Sequence, residues 1–457
     1  MDHIQIVDQF VANARVALKE FESYNQEQVD NCIKAFLLAF KDKAEELSKE
    51  VVEETGLGDY ESKIAKNTGS PDGIWYALKG KKSVGIIGED KENGLTYVAS
   101  PKGIMCSVAP TTNPNITVLF NAAFALKGRN VLIVAPHPRA KKTTLHTVEI
   151  INEALAKVGA PKNLVQCIEE PSIECTKVLM QKSDVIIATG GAAMVESAYS
   201  SGRPAFGVGP GNVQTIIDKG FNYAEAAAQI VEGRKFDNGL ICAGNQSVIC
   251  LSEDMEKVVA ELVANGAYYA EKAEEVEALR KALFPDGRHI NRDLVGQTAL
   301  AIAKAAGISI PENTSVIAIQ GDPKKIGDAD PLCGEKMCPA LVVLPYETFE
   351  EGVEIARKNL EYEGAGHSAV VHTNDPEKVD YCGVALPVSR LLVNQPGIFA
   401  ANPALANGLN PTSTLGCGSW GNNSISENLT YEHLINVSRI ARLKDPSKMP
   451  TSEEIWS

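Results

Sequence analysis

NVLIVAP (130–136), DVIIATGG (184–191) and VQTIID (213–218) are three short apolar runs, and each leads into a segment with helical periodicity. After the first, Leu145, Val148, Ile151 and Leu155 recur at i, i+3, i+6 and i+10 until Gly159 and Pro161 stop the pattern. Met194, Val195 and Ala198 follow the second run, and the segment from Ala224 to Val231 follows the third. A strand that is apolar on both faces must be covered on both, so this alternation predicts a parallel sheet with helices on either side. A second alternating block begins after Lys235: SVICLS (247–252), an acidic helix around 253–282, ALVVLP (340–345), a helix around 347–360 and SAVVHT (368–373). The fold class is α/β, with two doubly wound units.

Around this frame the first 65 residues read as two helices, one carrying Ile6, Phe10 and Val11, the other Val29, Ile33, Phe36, Leu37 and Phe40. Between Ser83 and Val108 short apolar runs are split by Gly85, Gly88, Gly94 and Gly103, which predicts a β-hairpin. The Gly- and Asn-rich stretch from Asn402 to Asn423 reads as a long loop, and a final helix near 431–440 leads to a polar tail.

Composition limits the function. The 457 residues carry 44 Lys plus Arg against 58 Asp plus Glu, a net charge of −14. A binder of nucleic-acid backbones needs a basic stripe to displace counterions, and none is present. The most apolar stretch, Val118 to Ala135, is interrupted by Lys127 and Arg129, so no membrane span is expected. The opening MDHIQIVDQF lacks the basic start and apolar middle of a secretory signal, which points to the cytoplasm. Ten scattered cysteines read as reduced thiols.

Few motifs carry chemistry. GCGSWG (416–421) has the glycine spacing of a dinucleotide turn but follows no strand and has no acid about 20 residues on, so it is set aside. His367 and His372 lie five apart on a strand and face opposite ways, and Cys333 and Cys338 flank GEKM without a nearby third ligand, so no metal is expected. KFDNGLICAGNQSVI (235–249) is different. Its cysteine follows a glycine-containing turn and precedes an apolar strand, which suits a thiol held at the mouth of a cleft. Cys242 is the candidate nucleophile. A lone cysteine is otherwise a small buried hydrophobe.

Eight stretches, in order, extend the reading: APTTNPN (109–115), APHPRAKK (135–142), IIATGG (186–191), AYSSGRPAFGVGPGNV (198–213), KFDNGLICAGNQSV (235–248), EKMCP (335–339), GAGHSAVVH (364–372) and LGCGSWGNNSISENLTYEHLINVSRIA (415–441). Together they resemble the CoA-acylating branch of the aldehyde dehydrogenase superfamily over almost the whole chain, most closely the clostridial type that acts on succinate semialdehyde. The resemblance implies a nicotinamide cofactor-binding domain over 1–232, including a β-hairpin oligomerisation element near 83–108. It further implies a catalytic domain over 233–410, a return segment over 411–443 and a tail over 444–457, with assembly as homodimers or homotetramers.

It also implies roles. A cysteine thiolate attacks the aldehyde carbon, and the oxyanion formed must be held before hydride leaves for the nicotinamide. Asn113 would supply a side-chain donor to that oxyanion and the Cys242 N–H a second. His367, in GAGHSA, would exchange a proton with the CoA thiol or the hemithioacetal, with a plain strand-edge histidine as the alternative. Glu335 would meet the nicotinamide ribose. His137 and Arg139, in APHPRAKK, would line the adenosine side, Thr189, Gly190 and Gly191 the pyrophosphate, and Thr112 would also bind the cofactor. Arg139, with Lys141 and Lys142, could pair with a 2′-phosphate, so NAD and NADP stay equally open.

One departure matters more than the matches. Hydrolytic relatives carry a glutamate some 35 residues before the nucleophile that activates water, and Gly207 stands in its place here. An acyl-cysteine without that base waits for another thiol, so coenzyme A is the expected acceptor. Succinate semialdehyde, acetaldehyde, butyraldehyde and sulfoacetaldehyde remain open as substrates, because NITVLF (115–120) and NQPGIFAANPALANG (394–408), expected to line the acyl pocket, depart from the succinate-semialdehyde pattern. A hydrolytic dehydrogenase and an assembly or microcompartment subunit are the alternatives.

Overall fold

A computed structural model describes residues 3–401, 403, 405–445 and 449–457. Asn402 and Ala404 of the expected acyl-pocket loop, Met1 and Asp2, and residues 446–448 of the tail lie outside them.

Four helices open the chain where two were expected: α1 (His3–Phe21), α2 (Gln26–Asp42), α3 (Ala44–Thr55) and α4 (Tyr60–Leu78). Their boundaries are set by caps between the apolar stripes. Asn25 closes a capping box on α2, Gly56 ends α3 in the left-handed conformation, and the Asp59 side chain accepts the Ser62 N–H at the start of α4.

Among the described residues fifteen strands form three sheets. β1 (Gly85–Asp90) and β2 (Leu95–Pro101) make the expected hairpin. β3 (Ile104–Val108), assigned to that hairpin from the sequence, instead pairs with β4 (Val131–Ala135) and β6 (Val185–Ala188). All five β3 residues are buried, and a strand buried on both faces is stable only inside a covered parallel sheet. With β5 (Val165–Cys167) and β7 (Ala205–Gly207) the order is β5-β4-β3-β6-β7. The helices α5 (Pro114–Lys127), α6 (Lys141–Lys157), α7 (Ile173–Lys182) and α8 (Ala192–Tyr199) alternate with these strands. α5 is buried along its whole length.

The second sheet is also parallel. It comprises β8 (Gln214–Ile217), β9 (Ser247–Leu251), β10 (Ala267–Ala270), β11 (Val316–Gln320), β12 (Ala340–Tyr346), β13 (Gly366–His372) and β14 (Val388–Val393), in the order β10-β11-β12-β9-β8-β13-β14. Two corrections follow. VQTIID, grouped with the first unit from its rhythm, pairs as β8 with β9 and β13, and the following helix α9 (Tyr223–Lys235) packs in the same unit. Its buried Gln214 accepts from Ser247 and Asn359 at 2.8 Å each, both residues of the second unit, which fixes that choice. The acidic helix expected over 253–282 is two helices separated by β10.

The third sheet closes the chain. The helix expected near 431–440 is a single 3₁₀ turn, Tyr431–Leu434, followed by β15 (Ile435–Ala441), which pairs antiparallel with β2. Ile435, Asn436, Val437 and Ser438 alternate apolar and polar, the period of a half-exposed strand. Among the described residues no helix is long and apolar enough to cross a membrane.

The path between the two large sheets positions everything else. Only residues 208–213 connect the carboxyl end of β7 to the amino end of β8. The carboxyl edge of the first sheet therefore faces the amino edge of the second. In the first sheet the chain leaves β3 toward β4 on one side and returns to β6 on the other, which makes a topological switch point where ligands bind in open α/β sheets.

Candidate active site

Cys242 sits in the loop that enters β9 and is partly buried in the seam between the two sheets. The residues on its flank explain how a thiol fits there. Gly211 lies against its backbone: a Cβ at 211 would be 2.1 Å from the Cys242 carbonyl oxygen and 2.8 Å from its Cβ. The Gly211 N–H donates to Glu335 Oε1 at 3.1 Å, which brings the expected ribose contact beside the candidate nucleophile. Burial, with Glu335 and Cys417 close by, pushes the Cys242 thiol up to about 12. Burial and Glu363 push the Glu335 carboxyl up to about 8.

Two buried guanidinium groups tie the surrounding loops together, and neither was singled out in the sequence. Arg234 donates from Nε to the Cys338 carbonyl and from Nη2 to the Lys336 carbonyl, each at 2.9 Å, which links α9 to the strand entrance that carries Glu335. Arg390 donates from Nη2 to the carbonyls of His367 at 2.8 Å and Gly416 at 2.9 Å. The GCGSWG loop, set aside as a dinucleotide motif, is thus part of the site's wall. A Cβ at Gly366 would lie 1.7 Å from the Cys417 carbonyl oxygen, so that glycine permits the close approach.

His367 has no exposed surface, and neither ring nitrogen has a hydrogen-bond partner among the described residues. Burial and the Arg390 guanidinium hold it well below the ordinary imidazole range, so the ring is neutral. His372, farther along β13, packs against the Phe221 ring with centroids 5.4 Å apart.

Asn113 follows β3 and occupies the N-cap position of α5, yet its side chain makes no cap hydrogen bond. Its amide oxygen accepts instead from Lys66 on α4. Lys66 also meets the Asp237 carboxylate, which Lys63 contacts at 2.9 Å while donating to the Thr112 carbonyl at 2.8 Å. Asp237 and Asn238 hold left-handed backbone, φ 53° and 49°. That conformation costs a non-glycine residue about 1–2 kcal/mol.

The expected cofactor residues gather on the carboxyl edge of the first sheet. Thr189, Gly190 and Gly191 follow β6, and His137 and Arg139 follow β4. The Thr189 N–H donates to the Val108 carbonyl at 3.2 Å, which places this turn next to the one carrying Thr112 and Asn113. A dinucleotide fits here. Gly190 and Gly191 are exposed, a Cβ at Gly191 would meet nothing within 4 Å, and among the described residues no side chain caps α8. After β4, where adenosine contacts are expected, the His137 Nδ1 accepts the Arg139 N–H, and Lys141 is paired with Glu170 at 2.7 Å. Glu54, not anticipated from sequence, accepts the Lys142 and Thr143 N–H groups at 2.9 and 2.8 Å. The opening of α6 is thereby capped by a carboxylate. Arg139 keeps an exposed guanidinium with one bond, to the Thr55 carbonyl at 3.3 Å.

Position 207 is filled. A Cβ there would lie 2.6 Å from Val195 Cγ1 and 3.0 Å from Tyr199 Cε2, and the Gly207 N–H already donates to the Tyr199 hydroxyl at 2.9 Å.

Two parallel α/β units, edge to edge across a thiol-bearing loop, with a small antiparallel sheet packed on the first of them, constitute the aldehyde dehydrogenase-like fold. Residues 4–272 match the model of the aldehyde dehydrogenase family. The succinate-semialdehyde dehydrogenase (acetylating) of Clostridium kluyveri is 54% identical over 450 residues, 98% of each chain. An acetylating aldehyde dehydrogenase from Geobacillus thermoglucosidasius superposes with a TM-score of 0.93 at 37% identity, covering 98% of both chains. A Rhodopseudomonas palustris propionaldehyde dehydrogenase with bound CoA and an acylated cysteine superposes with a TM-score of 0.83 at 27% identity, over 95% of this chain and 97% of that one. The chain belongs to the aldehyde dehydrogenase family.

Proposed function

We propose that the protein is a CoA-acylating aldehyde dehydrogenase, converting an aldehyde, CoA and NAD(P)+ into an acyl-CoA, NAD(P)H and a proton, reversibly. The observation that carries this is position 207, where a water-activating carboxylate is both absent and sterically barred by Val195 and Tyr199. Glu335, the carboxyl beside the thiol, is largely protonated at neutral pH and offers water no charged base.

In this reading the Cys242 thiol gives up its proton to solvent and the thiolate sulfur adds to the aldehyde carbon, whose carbonyl electron pair moves onto the oxygen. The new oxyanion accepts from the Asn113 side-chain amide and the Cys242 N–H, each such donor contributing about 3 kcal/mol at the barrier. A bound nicotinamide supplies the hydride acceptor. The resulting thioester on Cys242 passes its acyl group to the CoA sulfur, and the neutral His367 ring receives the CoA thiol proton. Glu335, Thr112, Thr189, Gly190, Gly191 and His137 bind the dinucleotide. The substrate proposed is a short aldehyde, succinate semialdehyde first, on the strength of the C. kluyveri relative. Asn115 Nδ2 and Thr117 Oγ1, buried on α5 without a hydrogen-bond partner among the described residues, are polar groups of the kind an anionic tail requires.

The test follows NAD(P)H formation with a panel of neutral and anionic short aldehydes. With CoA, turnover is sustained and acyl-CoA accumulates, with the highest kcat/KM for succinate semialdehyde. Without CoA, a burst of one NAD(P)H per site is expected and then arrest. Sustained release of free acid in the absence of CoA sinks the proposal.

For the adenosine side, Arg139→Ala is expected to raise the KM for NADP about tenfold and that for NAD less than about twofold, the loss of one exposed guanidinium–phosphate contact. Equal changes in both would show that Arg139 does not meet a 2′-phosphate. We further propose cytoplasmic operation, supported by ten free thiols, and homo-oligomers formed through the β1-β2-β15 sheet, whose Ile440 and the adjacent Leu443 are exposed.

A further inference from the structure

The Lys63–Lys66–Asp237 cluster has no part in the chemistry described so far, yet it touches both halves of the proposed oxyanion site. Asp237 is completely buried, and the two lysine side chains are 2% and 8% exposed. One carboxylate oxygen accepts from both ammonium groups and the other from the Asp59 N–H at 3.2 Å. Those bonds hold Asp237 in its left-handed backbone, five residues before Cys242. Strained backbone of this kind persists only where its surroundings over-determine it.

On the other side the cluster reaches the turn after β3. Lys63 grips the Thr112 carbonyl and Lys66 the Asn113 side-chain oxygen. An ammonium has donors and no acceptor, so it can bind only the oxygen end of an asparagine amide. The NH2 end is then left free to donate. Rotation of that amide by half a turn would aim an oxygen at an oxyanion, and Lys66 forbids it.

We infer that Lys66, seated on Asp237, is a positioning residue that orients the Asn113 amide with its N–H groups toward the reacting carbonyl oxygen. The inference rests on the proposed role of Asn113 and extends it: one buried ion cluster sets both the side-chain donor at 113 and the turn that leads to the Cys242 N–H.

A double-mutant cycle tests it, with CoA-dependent NAD(P)H formation by native enzyme, Lys66→Met, Asn113→Ala and the double variant. Removing one oxyanion donor costs about 100-fold or more in kcat. Lys66→Met is expected to lose a large part of that, about 30-fold, with the aldehyde KM changed less than about threefold. In the Asn113→Ala background it should cost no more than about twofold, because the amide it orients is gone. A lysine that serves only the fold costs the same in both backgrounds, and that additive result overturns the inference. Lys66→Gln keeps a donor but a neutral one, and adds an acceptor, so it should recover only in part, to about three- to fivefold below native. If Lys66→Met proves insoluble, Lys66→Gln takes its place in the cycle: a loss of at least about threefold that vanishes in the Asn113→Ala background supports the inference, and no loss, or an equal loss in both, overturns it. Cys242→Ala in the same assay separates the two levels. Continued turnover there refutes the proposed site itself, whereas an inactive Cys242→Ala with additive Lys66 effects refutes only the positioning role.

Discussion

Cys242→Ala is expected to lower CoA-dependent aldehyde oxidation by at least about 10⁴-fold while leaving the melting temperature within a few degrees of native. The asymmetry follows from where the sulfur is. It sits in a loop at the seam, partly buried, so its loss removes the proposed covalent chemistry and little packing. A charge argument sharpens the expectation. With burial, Glu335 and Cys417 pushing the thiol up to about 12, the protonated form prevails at neutral pH and the thiolate fraction rises with pH throughout the accessible range. Alkylation of the enzyme by iodoacetamide should accelerate about tenfold per pH unit from 7 to 10 without levelling. A plateau near pH 8 would show that a neighbour already draws the proton away, and turnover by Cys242→Ala would remove the nucleophile from the account altogether.

Gly211→Ala is expected to lower kcat about 100-fold, because the added methyl group runs into the nucleophile loop. Its Cβ would stand 2.1 Å from the Cys242 carbonyl oxygen and 2.7 Å from the carbonyl carbon, and these are backbone atoms that cannot swing aside. The loop bearing the sulfur must therefore shift, and a displacement of about 1 Å at a reacting centre costs about 100-fold in kcat. The bond from the Gly211 N–H to Glu335 moves with it, so the KM for the nicotinamide should rise as well. Gly69→Ala provides the control. A Cβ there meets nothing within 4 Å and lies inside α4, so this variant should be fully active and more stable by about 0.5–1 kcal/mol. Native-like kcat in Gly211→Ala would show that the nucleophile loop has slack that the close packing denies.

Different residues of the site were legible to different degrees. Cys242 could be picked out because a cysteine between a glycine turn and an apolar strand is an unusual placement. Gly207 could be read as a missing base, but its crowding against Val195 and Tyr199 could not, since those side chains come from α8. Lys63 and Lys66 were invisible. Spaced three apart on a helix among polar residues they look like a solvated face, and only the docking of α4 beneath the Thr112 turn buries them. Asp237 carries no local signal that sets it apart, and Glu54 has none linking it to the start of α6 nearly 90 positions away. Arg234 and Arg390 escaped for the same reason: their partners are backbone carbonyls, which every residue has.

The amino-acid sequence by itself determined the α/β class, the strand–helix rhythm, the family resemblance and the thiol. These depend on burial period, turn chemistry and residue type, which are local properties of a chain. The tertiary structure alone decided that β3 leaves its hairpin, that β8 pairs across in the second sheet, that β15 is a strand, and that two lysines and an aspartate close around Asn113. An apolar run is equally content in any covered sheet, and a buried charge is tolerable only beside its counter-charge. The choice in each case is made by partners distant in the chain, whose contact energies exist only once the two sheets have met.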